Sequence, residues 1–269
     1  MNTEPQEQFG LERRRDLRKC YDEICQLDHQ VEESFETIAL IEDYRLYWKP
    51  KVVNVILLAE SHVQTSDSER DALISQIEPI AALEGCPRNY ARFVYCLGYG
   101  ESELLSTDKV RKNSGTSQYW KLLFSCLKDV NPQDAFLPIL KRNRQFLQRI
   151  KNKISLLQGL RDSGIWLVDA SIVALYNQAK KPPRRKLDEI IRVSWEKYTR
   201  EWIATERPSK VICVGKTVSM VVEQDARDLV GEKNYTAIDQ PNAQITSKKH
   251  FENFQTVGSI CRPFYGGQF

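Results

Sequence analysis

Hydrophobic positions follow two rhythms along the chain. In the first, Leu17, Cys20, Tyr21, Ile24, Leu27 and Val31 recur every three or four residues, which predicts an amphipathic helix over Leu11 to Glu33. Leu137, Leu140, Leu147, Ile150, Ile154 and Leu157 repeat that spacing in a long helix expected near Ala135 to Leu160. Leu187, Ile190, Ile191, Trp195, Tyr198 and Trp202 place a third apolar stripe on one helical face. The second rhythm is a short apolar run. Val52 to Ala59 is rich in β-branched residues and predicts a buried parallel strand. Gly164 to Asp169, Lys210 to Gly215 and Tyr235 to Asp239 predict three more. Buried strands alternating with helices imply an α/β fold of three layers, α/β/α, around a short, mostly parallel four-stranded sheet. Lys180 to Lys186 and Asp108 to Gly115 read as surface loops rather than linkers. One domain over residues 1–269 is therefore expected, with a helical N-terminal extension over about 1–50.

Composition narrows the class without deciding the function. Hydrophobic residues make up 41% of the sequence, enough for a substantial core. The net charge of +3 comes from 39 basic and 36 acidic residues, so the sum alone does not point to nucleic acid. No apolar run approaches the roughly 18 residues of a membrane span, and the polar start, Met1 to Phe9, does not resemble a secretory signal. Seven cysteines, an odd number, are scattered through expected helices and strands, which argues against a disulfide framework and for a reducing, cytoplasmic setting.

In an open parallel sheet, ligands bind beyond the carboxyl ends of the strands. The first strand runs into Glu60-Ser61-His62, the second into Asp169-Ala170-Ser171, the third into Gly215-Lys216 and the fourth into Gln240-Pro241-Asn242. Polar loops follow any strand, so each residue singly has a plain explanation. Their convergence on one edge makes them the site candidates.

The order of these segments resembles the uracil-DNA glycosylase superfamily. Leu58-Ala59-Glu60-Ser61-His62 stands where that family ends its first strand in a Gly-Gln-Asp-Pro-Tyr-His or Gly-Glu-Ala-Pro-Gly motif. Arg92-Phe93-Val94-Tyr95-Cys96-Leu97 fills the slot of an aromatic segment, and Gly115-Thr116-Ser117-Gln118-Tyr119 is similar to the turn that opens the next helix. Ser194-Trp195-Glu196-Lys197-Tyr198-Thr199 is similar to a Gly-Trp-Glu-x-Phe-Thr helix, and Lys249-His250-Phe251 to the family's closing helix start. The resemblance spans roughly Val52 to Ile260. The departures fall on the chemical positions: Ser61 replaces an aspartate, Asp169 an asparagine that reads uracil, and Gln240 the closing histidine.

The resemblance implies nucleic-acid base recognition or excision, that is, N-glycosidic hydrolysis of a DNA repair type, with DNA or another nucleic acid as partner. Glu60 and Asp169 are the carboxylates placed for such work, Glu60 either to orient water or to bind the base edge. Ionised Asp169 only accepts hydrogen bonds and would favour an amino-bearing base. His62, adjacent to an acidic strand end, is a candidate for the missing acid. Gln240 and Asn242 would contact substrate. Phe93 and Tyr95, spaced as in a strand, are candidates for stacking on a base, one in the pocket and the other in the core. Arg184, Arg185 and Lys186 would track phosphates, as would the basic runs at Lys109 to Lys112 and Lys141 to Arg144, and Ile245 would act as a wedge.

Two alternatives belong to other classes. A non-catalytic homologue would keep the fold to bind nucleic acid or protein. A Glu/His-dependent hydrolase is suggested by the likeness of Glu60-Ser61-His62 to a short element of erythromycin-esterase-like enzymes. Cys20, Cys25, Cys86 and Cys96 crudely match the distribution of cysteines around an iron-sulfur cluster in one glycosylase branch. Cys20 and Cys25 lack close chelating spacing, so no metal and no cofactor is expected. His29 reads as a surface residue and His250 as the start of the last helix.

Overall fold

The computed structural model describes residues 4–27, 31–105, 107, 109–110, 112–131, 134–176 and 182–266, with residues 4–9 described by backbone alone. It opens with α1 (Glu4–Cys25) and α2 (Phe35–Tyr47), followed by β1 (Val55–Ala59) and two single-turn helices, α3 (Asp67–Arg70) and α4 (Glu78–Ala81). Helices α5 (Ser117–Leu127) and α6 (Phe146–Asp162) lead into β2 (Ile165–Asp169). Then come α7 (Arg184–Ser194), α8 (Arg200–Glu206), β3 (Lys210–Val214), α9 (Lys216–Val230), β4 (Tyr235–Ile238) and α10 (Ser247–Cys261).

The four strands form one parallel sheet in the order β2-β1-β3-β4. Its register sets Ala59 opposite Asp169 and Leu58 opposite Cys213, so the first three strands end nearly level. Every residue of β1 and β2 is buried, as parallel strands covered on both faces require. One continuous core runs from Leu17 in α1 through all four strands to Cys261 in α10. Helices α1, α7 and α9 pack together, as do α5, α6 and α10, an arrangement compatible with three layers. No helix among the described residues is long and apolar enough to cross a membrane.

All four expected strands form, each somewhat shorter than its apolar run. Val52 is 71% exposed, and cross-strand bonding begins only at Asn54, whose N–H reaches the Gly164 carbonyl at 2.7 Å. The first helix ends at Cys25, not Glu33, and residues 28–30, His29 among them, lie outside the description. The helix expected from Ala135 begins only at Phe146. Pro138 removes an N–H and restricts Leu137, leaving a 3₁₀ turn at Leu137–Ile139. The stripe from Leu187 to Trp202 spans α7, a π-turn at Trp195–Thr199 and α8. Arg92 to Leu97 forms turns rather than the strand its alternation suggests.

Helix α2 carries no amphipathic signature because it is buried on several sides. Ile38, Ile41 and Tyr44 are buried, and so are Thr37, Glu42 and Arg45. Ser34 caps it, its hydroxyl accepting from the Thr37 N–H at 3.4 Å.

Where α5 meets α10 the backbones nearly touch. A Cβ on Gly258 would lie 2.8 Å from the Ser125 carbonyl oxygen and would overlap the Arg262 guanidinium. Gly258→Ala must push the two helices apart, at a cost of about 1–3 kcal/mol. Thermal unfolding should show a lowered midpoint with the far-ultraviolet spectrum unchanged; an unaltered midpoint would show that the contact yields freely.

Candidate active site

Backbone pairing continues past the strand ends and brings their polar residues together. The Ala170 N–H bonds the Ala59 carbonyl at 2.7 Å and the Ser171 N–H bonds the Glu60 carbonyl at 3.0 Å. On the other side the Gly215 N–H reaches the Ile238 carbonyl at 2.9 Å. These bonds leave Glu60, Asp169 and Gln240 facing one cavity of about 160 Å³ at the carboxyl edge of the sheet, as the strand-end rule anticipates. Ser61, His62, Phe93, Tyr119, Tyr176 and Asn242 also line it.

Glu60 is 2% exposed. Its carboxylate accepts from the Tyr176 hydroxyl at 3.0 Å and from the Gln240 amide at 3.3 Å. Burial pushes the Glu60 carboxyl above its ordinary value, while bonds from Tyr176, Thr217 and Gln240 and the nearby Arg184 charge oppose the rise.

His62 is held differently. Its Nε2 lies 3.0 Å from a Glu33 carboxylate oxygen, and its Nδ1 lies 3.7 Å from Asp169 Oδ2. Glu33 also accepts from the Thr65 N–H and the Ala174 N–H, both at 2.9 Å, so it ties the loop after β1 to the loop after β2. Burial opposes charge on the imidazole, but Glu33 and Asp169 outweigh it and raise the group to about 9. His62 is thus an imidazolium at neutral pH.

Asp169 does not stand as a free acceptor. Its Oδ2 receives the Arg45 guanidinium at 3.0 Å. Arg45 also pairs with Glu42. Glu42 in turn accepts from Arg13 at 2.8 Å and from the Tyr198 hydroxyl at 2.7 Å. Burial works against the Glu42 charge, yet Arg13 and Arg45 hold its carboxyl down to about 2. Asp169 lines the cavity as expected, but its Oδ2 is committed to Arg45 and His62, so its charge is already answered in part from the N-terminal helices.

The aromatic pair divides as expected. Phe93 walls the cavity, its ring edge-on to His62 with centroids 6.4 Å apart. Tyr95 is corrected from substrate contact to core: its hydroxyl accepts from the Leu167 N–H at 2.8 Å and satisfies the outer edge of β2. Glu60 and His62 line the same cavity with separate partners, Tyr176 and Gln240 for Glu60 and Glu33 for His62. Arg184 lies near the cavity, bonded to Asp188 at 2.7 Å and Thr217 at 3.2 Å. Arg185 is exposed and Lys186 half-buried, whereas Lys180 and Lys181 lie outside the described residues. Ile245, expected to project as a wedge, is half-buried in its loop. No cluster of three or more His, Cys, Asp or Glu side chains suited to a metal occurs among the described residues.

Glu33, Glu42, Arg45 and Tyr176 escape the sequence reading. A signal existed for two of them: Glu42 and Arg45 are charges in a helix without a polar face, where a charge needs a buried partner. Three polar atoms on cavity-lining residues, His62 Nδ1, Thr116 Oγ1 and Tyr119 Oη, are buried without a hydrogen-bond partner. Tyr119 comes close to Gln240 without reaching bonding geometry, and burial raises its phenol. Unpaired buried polar atoms cost about 1–3 kcal/mol each, so water or a ligand in the cavity would stabilise the hydroxyls of Thr116 and Tyr119. No family model matches the chain, and no curated protein or solved structure matches it either.

The charged His62 sets a pH dependence. A group raised in the folded state stabilises fully below its unfolded value, about 6.5, and loses that contribution as pH rises through about 9. Glu42, lowered in the fold, contributes above its ordinary range and loses its contribution as pH falls toward about 2. Stability should therefore decline between about pH 6.5 and 9, and His62→Gln should flatten that limb while leaving the acid limb in place. An imidazole NMR titration of the wild-type protein checks the cause directly: a His62 midpoint at an ordinary histidine value would overturn it.

Proposed function

We propose that the cavity receives a single nucleobase turned out of a nucleic-acid strand, and that the chain hydrolyses the N-glycosidic bond of that base as a divergent relative of the uracil-DNA glycosylases. The observation that carries this reading is the cavity: about 160 Å³, walled by Phe93 and joined by polar side chains from three strand ends. Drug-sized sites span about 300–1,000 Å³, so this volume suits one planar ring system rather than a whole nucleotide. An extruded base requires such a pocket, with an aromatic wall and groups that read its edge.

The chemistry divides among the residues present. Glu60, with its carboxyl raised by burial, orients the attacking water. Gln240 cannot carry charge. The positive charge that steadies a departing base comes instead from His62, on the β1 side of the cavity. Asp169 aligns His62 and Arg45 rather than acting on substrate. Asn242 is an exposed member of the lining and the exposed Arg184 stands close enough to act on Glu60, where the strand backbone would pass. One observation favours the binding-only alternative: both Glu60 oxygens already accept hydrogen bonds, one each from Tyr176 and Gln240.

Single-turnover cleavage of oligonucleotides carrying different damaged bases separates the two. Glu60→Gln should lower the rate by roughly 10²–10⁴, the range for acid–base groups. Tyr119→Phe removes one neutral hydroxyl and should cost no more than about tenfold, since such a bond contributes about 0.5–1.5 kcal/mol. Phe93→Ala should weaken base binding by about 1–3 kcal/mol. A wild-type protein that binds a base-bearing strand but cleaves none is a binding module. One that neither binds nor cleaves overturns the proposal.

A further inference from the structure

A second cavity, of about 490 Å³, is lined by residues that interleave with those of the first along the start of α5. The two share structural elements without sharing residues. Thr116 and Tyr119 face the first cavity while Gln118 and Lys121 face the second; Gln240 and Asn242 line the first while Ser247 and His250 line the second. His250 joins them, its Nε2 lying 3.1 Å from the Ala243 carbonyl in the connecting loop.

The walls of this second cavity are aromatic and positively charged. Phe136 and Phe254 meet at 5.4 Å between centroids, and His250 stacks on Phe254 at 6.4 Å. Phe251 adds a third phenyl ring. The Lys121 ammonium sits 5.7 Å from the Phe136 ring centroid. Among the described residues no carboxylate lies within ion-pair distance of Lys121, and burial lowers its ammonium without an acid to offset it. His250 supplies the other clue. Nε2 is taken up by the Ala243 carbonyl, so Nδ1 is the ring nitrogen left over, and it is buried without a partner.

An unneutralised cation, flat apolar walls and an unpartnered ring nitrogen together suit a ligand that is planar, anionic and able to hydrogen-bond. On the reading of the first cavity as a base pocket, we propose that this second cavity holds the neighbouring nucleotide of the same strand: its base lies against Phe251, and its phosphate meets Lys121. Base–aromatic stacking and phosphate contact tolerate any sequence, so the site would grip the strand without reading it.

The chain has three histidines, which makes the test direct. Imidazole NMR signals, assigned with His62→Gln and His250→Gln, are followed while deoxynucleoside 5′-monophosphates and then a single-stranded tetranucleotide are added. The proposal expects His250 to respond to nucleotide, with apparent affinity about fivefold or more weaker in Phe251→Ala, as the loss of one base–aromatic stack gives, and clearly weaker in Lys121→Gln, which removes the phosphate contact. In both variants His62 should still respond to the tetranucleotide. A response at His62 alone, or a His250 response indifferent to Lys121→Gln, overturns the second site and leaves the base pocket standing. A response at His250 alone supports the second site and removes the base pocket. Silence at both removes both.

Discussion

Six buried side chains of alternating sign hold the N-terminal helices to the working edge of the sheet. Arg13, Glu42, Arg45, Asp169, His62 and Glu33 follow one another as plus, minus, plus, minus, plus, minus, each beside the next. Each is less than a tenth exposed. Ions so placed lose their hydration, and only close partners of opposite sign make that tolerable. Alternation gives interior members a neighbour of opposite sign on both sides and keeps the sum at zero while His62 is protonated. Removing one member leaves a net charge in the core, the circumstance in which breaking a buried pair costs about 3–5 kcal/mol.

That constraint explains why the extension is part of the site rather than an attachment to it. Three of the six, Arg13, Glu42 and Arg45, belong to α1 and α2, and Glu33 lies between those helices. Glu33 is fixed by its own surroundings: its carbonyl accepts from the Tyr21 hydroxyl at 2.7 Å, and the next residue, Ser34, caps α2. Its carboxylate then closes the two loops that frame the cavity. The π-turn has its place in the same arrangement, since Tyr198 within it donates to Glu42.

The sheet was legible because its signal is local: four short apolar runs, each ending in polar residues, declare parallel strands and the edge where the cavity lies. Glu60, Asp169 and Gln240 meet in one cavity for that reason. The network was not legible, because it joins residues as far apart as Arg13 and Tyr198, and a sequence pattern carries no distance between them. Phe93 and Tyr95 show the same limit in miniature. Their alternation mimics a strand, yet both sit in turns, and only the unpaired edge of β2 decides that Tyr95 faces inward. Helix α2 was lost because burial on several sides erases the period on which an amphipathic reading depends.

On the proposed reading, the substitutions at the site and the added helices are one change rather than several. A glutamine at the end of β4 removes a positive charge from one wall of the cavity, and His62 at the end of β1 restores it on another. A buried imidazole does not stay charged by itself, since burial favours its neutral form. It requires an acid beyond the first contact, and the four strands supply only Asp169, which Arg45 already holds. Glu33 provides the second acid, and it can do so only because α1 and α2 bring it there. An aspartate in place of an asparagine at the end of β2 fits the same logic: an amide would leave Arg45 and His62 as two neighbouring cations without an anion between them.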